Sequence, residues 1–298
     1  MLHGGATAAI SVSAMRFISL ALAIFTSLTA AADNQNPTVS PDGSRIAFIS
    51  DRDGTTDVYV MAADGSHQIR LTRTEEKEGK PIWSADGKAI RFTVPEKDSS
   101  RLYSVDLRGT RVAEIGKVPG RGVLISRDGK RVFYALGTWT EVQLMESDLD
   151  GANARQLTDG KSVVWSPRWS PNGKQIAFTG RDAESHMHIY LMNPDGSSLR
   201  QLTHFEVADG RAQSPAWSPD ARWLAVQADT EKKTHIWIID ATTGAGRKLA
   251  AHEEALIDET PDWFPDGKRI AFTSNRSGKL EVWTMNVDGS RLRQLTGR

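Results

Sequence analysis

The chain contains no cysteine in 298 residues. That excludes disulfides, zinc–thiolate sites, iron–sulfur clusters, cysteine nucleophiles and lipid attachment through a thiol. It does not fix a compartment, because a chain with enough core needs no covalent staples anywhere. Net charge is also missing: 37 Lys and Arg balance 37 Asp and Glu. Without a basic footprint there is no case for nucleic-acid binding. No segment keeps helical periodicity over ten residues, which excludes a helical solenoid. No G-x-S-x-G occurs, so a nucleophile-elbow hydrolase domain is not encoded. What remains is ordinary globular composition, 25% charged and 39% hydrophobic. Length alone would suggest two domains. Nine Trp and 25 Gly against four Tyr are the unusual counts.

The N-terminus reads as an address. Met15-Arg16 precedes an apolar run, Phe17 to Leu28, and then Ala30-Ala31-Ala32. A positive start, a short apolar stretch and an A-x-A site make a secretory signal peptide. The run falls short of the ~20 apolar residues that span a bilayer. Residues 1–32 are therefore expected to be cleaved near Ala32, with residues 1–14 a mis-assigned upstream start. The mature chain is expected to be an exported monomer with no membrane span.

The remainder repeats one sentence six times. Ser40-Pro41-Asp42-Gly43 recurs at Ser84, Ser126, Ser170, Ser218 and Phe264, in steps of 44, 42, 44, 48 and 46 residues. Before this turn stands Pro-x-Trp, as in Pro81 to Trp83, Pro167 to Trp169, Pro215 to Trp217 and Pro261 to Trp263. After it come a short apolar run (Ile46-Ala47-Phe48) and an alternating segment (Val58-Tyr59-Val60-Met61). Asp64-Gly65-Ser66 and Arg70-Leu71-Thr72 close the copy. These are four short strands parted by Gly, Pro and Asp turns. Tandem four-stranded units of ~40–45 residues form propeller blades. Residues 33–298 divided by six leave nothing for a second domain. The expected fold is all-β: a single six-bladed β-propeller of four-stranded antiparallel blades. The inner-strand Trp residues, Trp169 among them, are expected to fill the blade cores. Ala221, standing where other copies have Gly, is expected to be left-handed.

The repeat resembles the TolB-type propeller repeat over residues 37–298. That family's propeller belongs to a periplasmic component of the Tol–Pal envelope system, and it binds the peptidoglycan-associated lipoprotein. Similar repeats occur in the propellers of tricorn protease, prolyl oligopeptidase relatives and oligogalacturonate lyase. The mixed α/β domain that precedes the TolB propeller has no counterpart between the apolar segment and the first repeat. The resemblance implies a periplasmic, non-catalytic protein-binding module. The alternatives are a metal-dependent lyase or hydrolase on polysaccharide and a carbohydrate-binding propeller.

Turn lengths choose a face. The S-P-D-G and D-G-S connections are tight and nearly constant, and they share one end of each blade. The other connections vary, and variable loops on a rigid scaffold commonly carry function. The partner-binding candidates on that loop face are Arg52, Trp139, Arg181, His204, Glu206, Asp209, Arg211, His252, Glu253, Asp258 and Glu259. One repeat position reads Asp57, Arg101, Glu141, His188, His235 and Glu281. It is expected to form a polar ring near the channel mouth, read as a solvated rim of strand-start residues in preference to a cation or partner site. No catalytic residue, metal ligand set or cofactor is assigned. His186-x-His188 could give two ligands, since imidazole suits transition metals, and oligogalacturonate lyase uses a histidine-bound metal. The other ligands are not identifiable. Asp51-Arg52-Asp53-Gly54 and Asp148-x-Asp150-Gly151 mimic calcium loops, but turn chemistry explains them. Gly160-Lys161-Ser162 lacks the first Gly of a phosphate loop. The Arg of the R-x-L-T segments is expected to be a solubilising charge on the outer edge.

Overall fold

In the computed structural model of the chain, the residues described are 33–126, 129–138, 142–159, 164–182, 186–204, 211–230, 233–249 and 257–297. Each copy of the repeat forms its own four-stranded antiparallel sheet, with strands in sequential order. The first strands are Asn34–Val39, Ile82–Trp83, Arg121–Ile125, Val164–Trp169, Ala212–Trp217 and Asp258–Trp263. First strands of neighbouring blades touch at five of the six junctions, among them Asn34–Val39 with Asp258–Trp263, so the ring closes. The first strands therefore surround the axis.

Local chemistry explains the tight end of each blade. Ser40 Oγ donates to Asp42 Oδ1 (2.6 Å) and accepts from the Arg45 amide (3.0 Å). The Gly43 amide donates to the Ser40 carbonyl (2.8 Å). Hydrogen bonds from Ser40 and Ser44 hold the Asp42 carboxyl down at about 2. The same serine–acid or serine–amide clasp recurs at Ser84/Asp86, Ser170/Asn172 and Ser218/Asp220. Ala221 takes the glycine's place at φ +58°, as expected.

Blades are joined by apolar clusters at every junction. Ile189, Leu191 and Leu202 of blade 4 pack on Trp217, Leu224 and Val226 of blade 5. Phe48, Tyr59 and Met61 of blade 1 pack on Phe264, Val282 and Leu295 of blade 6. The inner Trp indoles add a directed link, because a buried N–H needs an acceptor. Trp83 donates to Thr38 O (2.9 Å), Trp217 to Arg168 O (3.2 Å) and Trp263 to Ala216 O (3.0 Å), each reaching the first strand of the preceding blade. Trp169 departs from this. It is half-buried, packs edge-on against Phe133 at 5.1 Å, and its Nε1 has no partner.

The outer strands correct one expectation. Arg155, Arg200, Arg247 and Arg293 are not free edge charges. They donate to Pro194 O (3.3 Å), Ala241 O (2.6 Å), Val287 O (2.7 Å) and Asp64 O (3.0 Å), in each case a carbonyl of the next blade. The last of these crosses from blade 6 to blade 1. At the same seam Gly65 sits so near Leu295 O that a Cβ would stand 2.7 Å from it. Asn34 Nδ2 donates to Glu281 Oε2 (2.8 Å), and its amide donates to Leu280 O (2.9 Å). The seam is thus closed by side chains, a backbone hydrogen bond and an apolar cluster, with no strand exchanged among the described residues.

Candidate functional site

The expected loop-face residues fall into three groups. Trp139, Glu206, Asp209, His252 and Glu253 lie outside the described residues, as do Glu141 and Gly160-Lys161-Ser162. Three candidates are engaged inside the protein. Arg52 stacks over Tyr59 (4.6 Å to the ring centroid) and donates to Ser50 Oγ, Asn34 Oδ1 and Gln68 Oε1. Asp258 is buried and paired with Arg276 at 2.5 Å. Arg276 stacks over Phe272 and Trp283 as Arg52 does over Phe48 and Tyr59. These Arg residues lock the end of the second strand of their blades. Arg181 lies over Trp165 at 5.1 Å. Arg211 and His204 are exposed, and Glu259 is partly exposed.

The structure separates the residues of the proposed polar ring. Asp57, His188, His235 and Glu281 are all buried at the start of a third strand. First strands line the axis, so a third-strand side chain packs inside its own blade and meets no counterpart across the channel. Asp57 is held by Thr55 Oγ1 and Arg70 (both 2.7 Å). Glu281 is held by Asn34, Thr296 (2.5 Å) and Lys279 (3.0 Å). Glu78 lies beside Asp57. It accepts from the Val58 amide (2.9 Å), Thr72 Oγ1 (2.6 Å) and Thr74 Oγ1 (3.0 Å). Burial, with the Asp57 charge adding to it, lifts the Glu78 carboxyl to about 6 against those hydrogen bonds.

Both calcium-like fragments resolve into turn chemistry. Tyr59 OH donates to Asp53, and Arg70 pairs with both Asp53 (3.3 Å) and Asp57. Asp148 is occupied by Arg131 (2.7 Å) and Asn153 (2.7 Å).

Blade 4 differs. Asp182 follows its second strand, Ile176–Arg181; His186 immediately precedes its third, Met187–Met192, and His188 lies within it. Arg181 pairs with Met187 and Gly180 with His188, which turns the two histidines towards the aspartate. His188 Nε2 is 3.0 Å and His186 Nδ1 is 3.3 Å from one oxygen, Asp182 Oδ2. The other oxygen, Oδ1, accepts the His186 amide at 2.8 Å. Burial holds the His188 imidazole below its usual value, opposed by the Asp182 carboxylate. The exposed His204 ring stands 6.4 Å from the His188 ring. Sequence reasoning found both histidines but missed Asp182. The signal was D-x3-H-x-H spanning one hairpin.

The axis holds a second polar group, of which the repeat alignment reveals only Arg168 and Asp262, both following the repeat proline, whereas Lys80 precedes its own. Lys80, Arg168 and Asp262 come from alternate blades, 2, 4 and 6, and act on one another electrostatically. Enclosure brings the Lys80 ammonium down to about 7, with Arg168 adding to the fall and Asp262 opposing it. Burial likewise raises the Asp262 carboxyl, whose Oδ2 accepts the Val39 amide at 2.7 Å. Nearer the loop end, burial and the charges of Asp229 and Asp33 raise Glu259. One residue further on, Asn36, Ser166, Ser214 and Thr260 all take positive φ (49–56°) before a proline, at a bulge in the inner strand. Left-handed non-glycine residues cost about 1–3 kcal/mol each and gather at functional rims. On the opposite, tight-turn face a cavity of about 540 Å³ lies between blades 5 and 6, lined in part by Pro219, Trp223 and Pro265.

Similarity to known proteins fits this architecture. The TolB beta propeller domain family matches residues 23–146 and 130–298. An uncharacterized protein of Agrobacterium fabrum is 27% identical over 198 residues, 63% of this chain and 67% of that protein. The Tol-Pal system protein TolB of Desulfosudis oleivorans is 34% identical over 160 residues, 54% of this chain and 26% of that protein. Other curated relatives include peptidases, such as dipeptidyl-peptidase 5 of Porphyromonas gingivalis, 24% identical over 271 residues, of which the chain spans 39%. Among solved structures, TolB from Acinetobacter baumannii superposes with a TM-score of 0.65 at 19% identity, over 88% of this chain and 62% of that one. Oligogalacturonate lyase from Vibrio parahaemolyticus shares the fold at a TM-score of 0.59 and 14% identity, over 89% and 78% of the two chains. The likeness to structures at such identities is one of fold. Six four-stranded blades, the repeated serine–acid turns and the family match together establish that the chain belongs to the TolB beta propeller domain family.

Proposed function

We propose that this chain is an exported, periplasmic propeller that binds a protein of the cell envelope through its loop face and does not itself catalyse a reaction. A peptidoglycan-associated lipoprotein is the partner class that a TolB-like propeller suggests, within a Tol–Pal-type role in envelope integrity. The observation that carries the reading is the contrast between the two ends of the blades. At the tight end, turn side chains are spent on one another in the repeated clasps. At the loop end, exposed Arg211 and His204 and the partly exposed Glu259 stand on a rigid ring. Such a ring end can supply the ~800 Å² per partner of a standard interface. Among the described residues no helix is long and apolar enough to cross a membrane.

The test is direct binding to the lipid-free peptidoglycan-associated lipoprotein of the same organism, measured by calorimetry. Arg211→Glu with Glu259→Lys should weaken that binding by ~10-fold or more, as charge reversal at a complementary surface does. Absence of binding to that protein, with no other envelope protein recovered on the immobilised propeller, would overturn the proposal.

A further inference from the structure

Blade 4 departs from blades 1 and 6 at one position, and the departure has a chemical direction. Blades 1 and 6 place Asp57 and Glu281 at the head of the third strand, where neighbouring donors bind their carboxylates. Blade 4 places His188 there. Its Nε2 turns to Asp182, while its Nδ1 is buried with no partner. The orphaned Nδ1 is shared with His235 of blade 5 and does not mark a site; what sets His188 apart is the carboxylate that its Nε2 meets. The fold spends this imidazole on the Asp182 cluster. His186 joins it from two residues away, so one carboxylate oxygen and two ring nitrogens converge.

We propose that Asp182, His186 and His188 form a binding site for one divalent transition-metal ion of the zinc class, opening onto the loop face. The spacing suits such an ion. Two ligands about 2.0–2.1 Å from a tetrahedral centre stand about 3.3 Å apart. Here the oxygen lies 3.0 and 3.3 Å from the two nitrogens, and all three atoms fall within 4.8 Å of one another. The donor set selects the metal: two imidazoles with one carboxylate suit zinc, nickel or cobalt, whereas calcium takes six to eight oxygens. The carboxylate is already oriented, because the His186 amide holds Oδ1 and leaves Oδ2 for the ion. Access is provided as well. His188 is buried, but the His186 side chain is 39% exposed, so the coordination sphere faces solvent on one side. His204, its ring 6.4 Å from that of His188, is a further imidazole that can complete the sphere or give way to a donor from a bound partner. Among the described residues this is the only cluster of three or more His, Cys, Asp or Glu side chains with metal-ligand spacing. His235, at the same position of blade 5, has no such company.

The test uses the chain made without a polyhistidine tag, stripped with chelator and titrated with Zn²⁺, Ni²⁺ and Co²⁺. The expected result is one ion per chain by elemental analysis, a rise in melting temperature with Zn²⁺, and a cobalt spectrum of low coordination number. Even losing an outer-shell partner costs 10–100-fold in metal affinity, so removing a ligand, as in Asp182→Asn or His186→Ala, should weaken Zn²⁺ binding by ~100-fold or more. His67→Ala, at an exposed histidine of blade 1, should leave it unchanged. His186→Ala serves as the primary variant because its side chain is outside the core, so the site can be broken without unfolding the blade. No stoichiometric binding of any of the three ions, or binding that survives both ligand variants, would overturn the proposal. The metal site stands apart from the partner reading, and either can fail alone.

Discussion

Replacing Glu78 with Gln should change how stability depends on pH, in a direction the structure fixes. Glu78 is buried beside Asp57, and its carboxyl is lifted from 4.5 to about 6. A carboxyl raised by folding binds its proton more tightly in the native chain than in the unfolded one. Its contribution to stability is therefore complete below the unfolded value and is lost as pH rises through the folded value. A displacement of about one and a half units at about 1.4 kcal/mol per unit makes the loss about 2 kcal/mol between pH 4.5 and 6. Gln should fit the site. Its carbonyl can accept from the Val58 amide and Thr72 Oγ1, and its amide can donate to Thr74 Oγ1, whose hydroxyl can rotate. The assay is thermal or urea unfolding of both proteins from pH 4 to 7.5. The variant should gain about 2 kcal/mol relative to the parent across that span, some 4 °C in melting temperature for a chain of this size. Reading the change of the difference with pH removes any fixed cost of the swap. A difference that stays constant across the range would refute the argument, because Glu78 would then titrate alike in both states.

Two further predictions concern the blades. Trp263→Ala should cost ~3–5 kcal/mol, and Trp169→Ala measurably less, because Trp263 is buried and donates to Ala216 O while Trp169 is half-buried with an unpartnered indole. Equal losses in denaturant unfolding would contradict the assignment of Trp263, and not Trp169, to a sealed junction. Ala221→Gly should be neutral or stabilise by up to about 1 kcal/mol, since relief of a left-handed alanine outweighs or balances the entropy of glycine. A clear fall in melting temperature would show that the turn depends on the alanine methyl.

The fold was legible because its determinants are local and repeated. Ser40, Asp42 and Gly43 make their turn within six residues of chain, and their counterparts do so again along the sequence. What escaped was whatever depends on the neighbour across a junction. Arg293 looks like an edge charge until the Asp64 carbonyl of blade 1 is placed beside it. The third-strand position looked like a ring because periodic residues do circle the axis. Radius decides whether they meet, and a string of residues does not give radius. In the candidate site, His186 and His188 stood out by their spacing, while Asp182 looked like one more turn acid among many. The hairpin register that aims it at them is a property of the paired strands.

Six copies of one unit also supply their own controls. Where copies agree, as in the serine clasps and the inter-blade arginines, the residues answer to the ring they share, and substitution there should be read as a loss of stability. Where one copy departs without a structural gain, a different demand is acting. Where blades 1 and 6 hold a well-satisfied acid, blade 4 holds an imidazole and, unlike blade 5, surrounds it with a second histidine and an oriented carboxylate. Some other departures have packing answers: Phe264 replaces the turn serine and receives the Arg269 guanidinium at 4.0 Å. Ala221 keeps the same turn at the cost of a left-handed backbone. The blade 4 cluster has no such answer within the fold, and it lies on the face where the long connections and the exposed Arg211 are found. Chemistry that the scaffold does not need, set on the side that the scaffold leaves free, is the physical reason to look for a ligand there first.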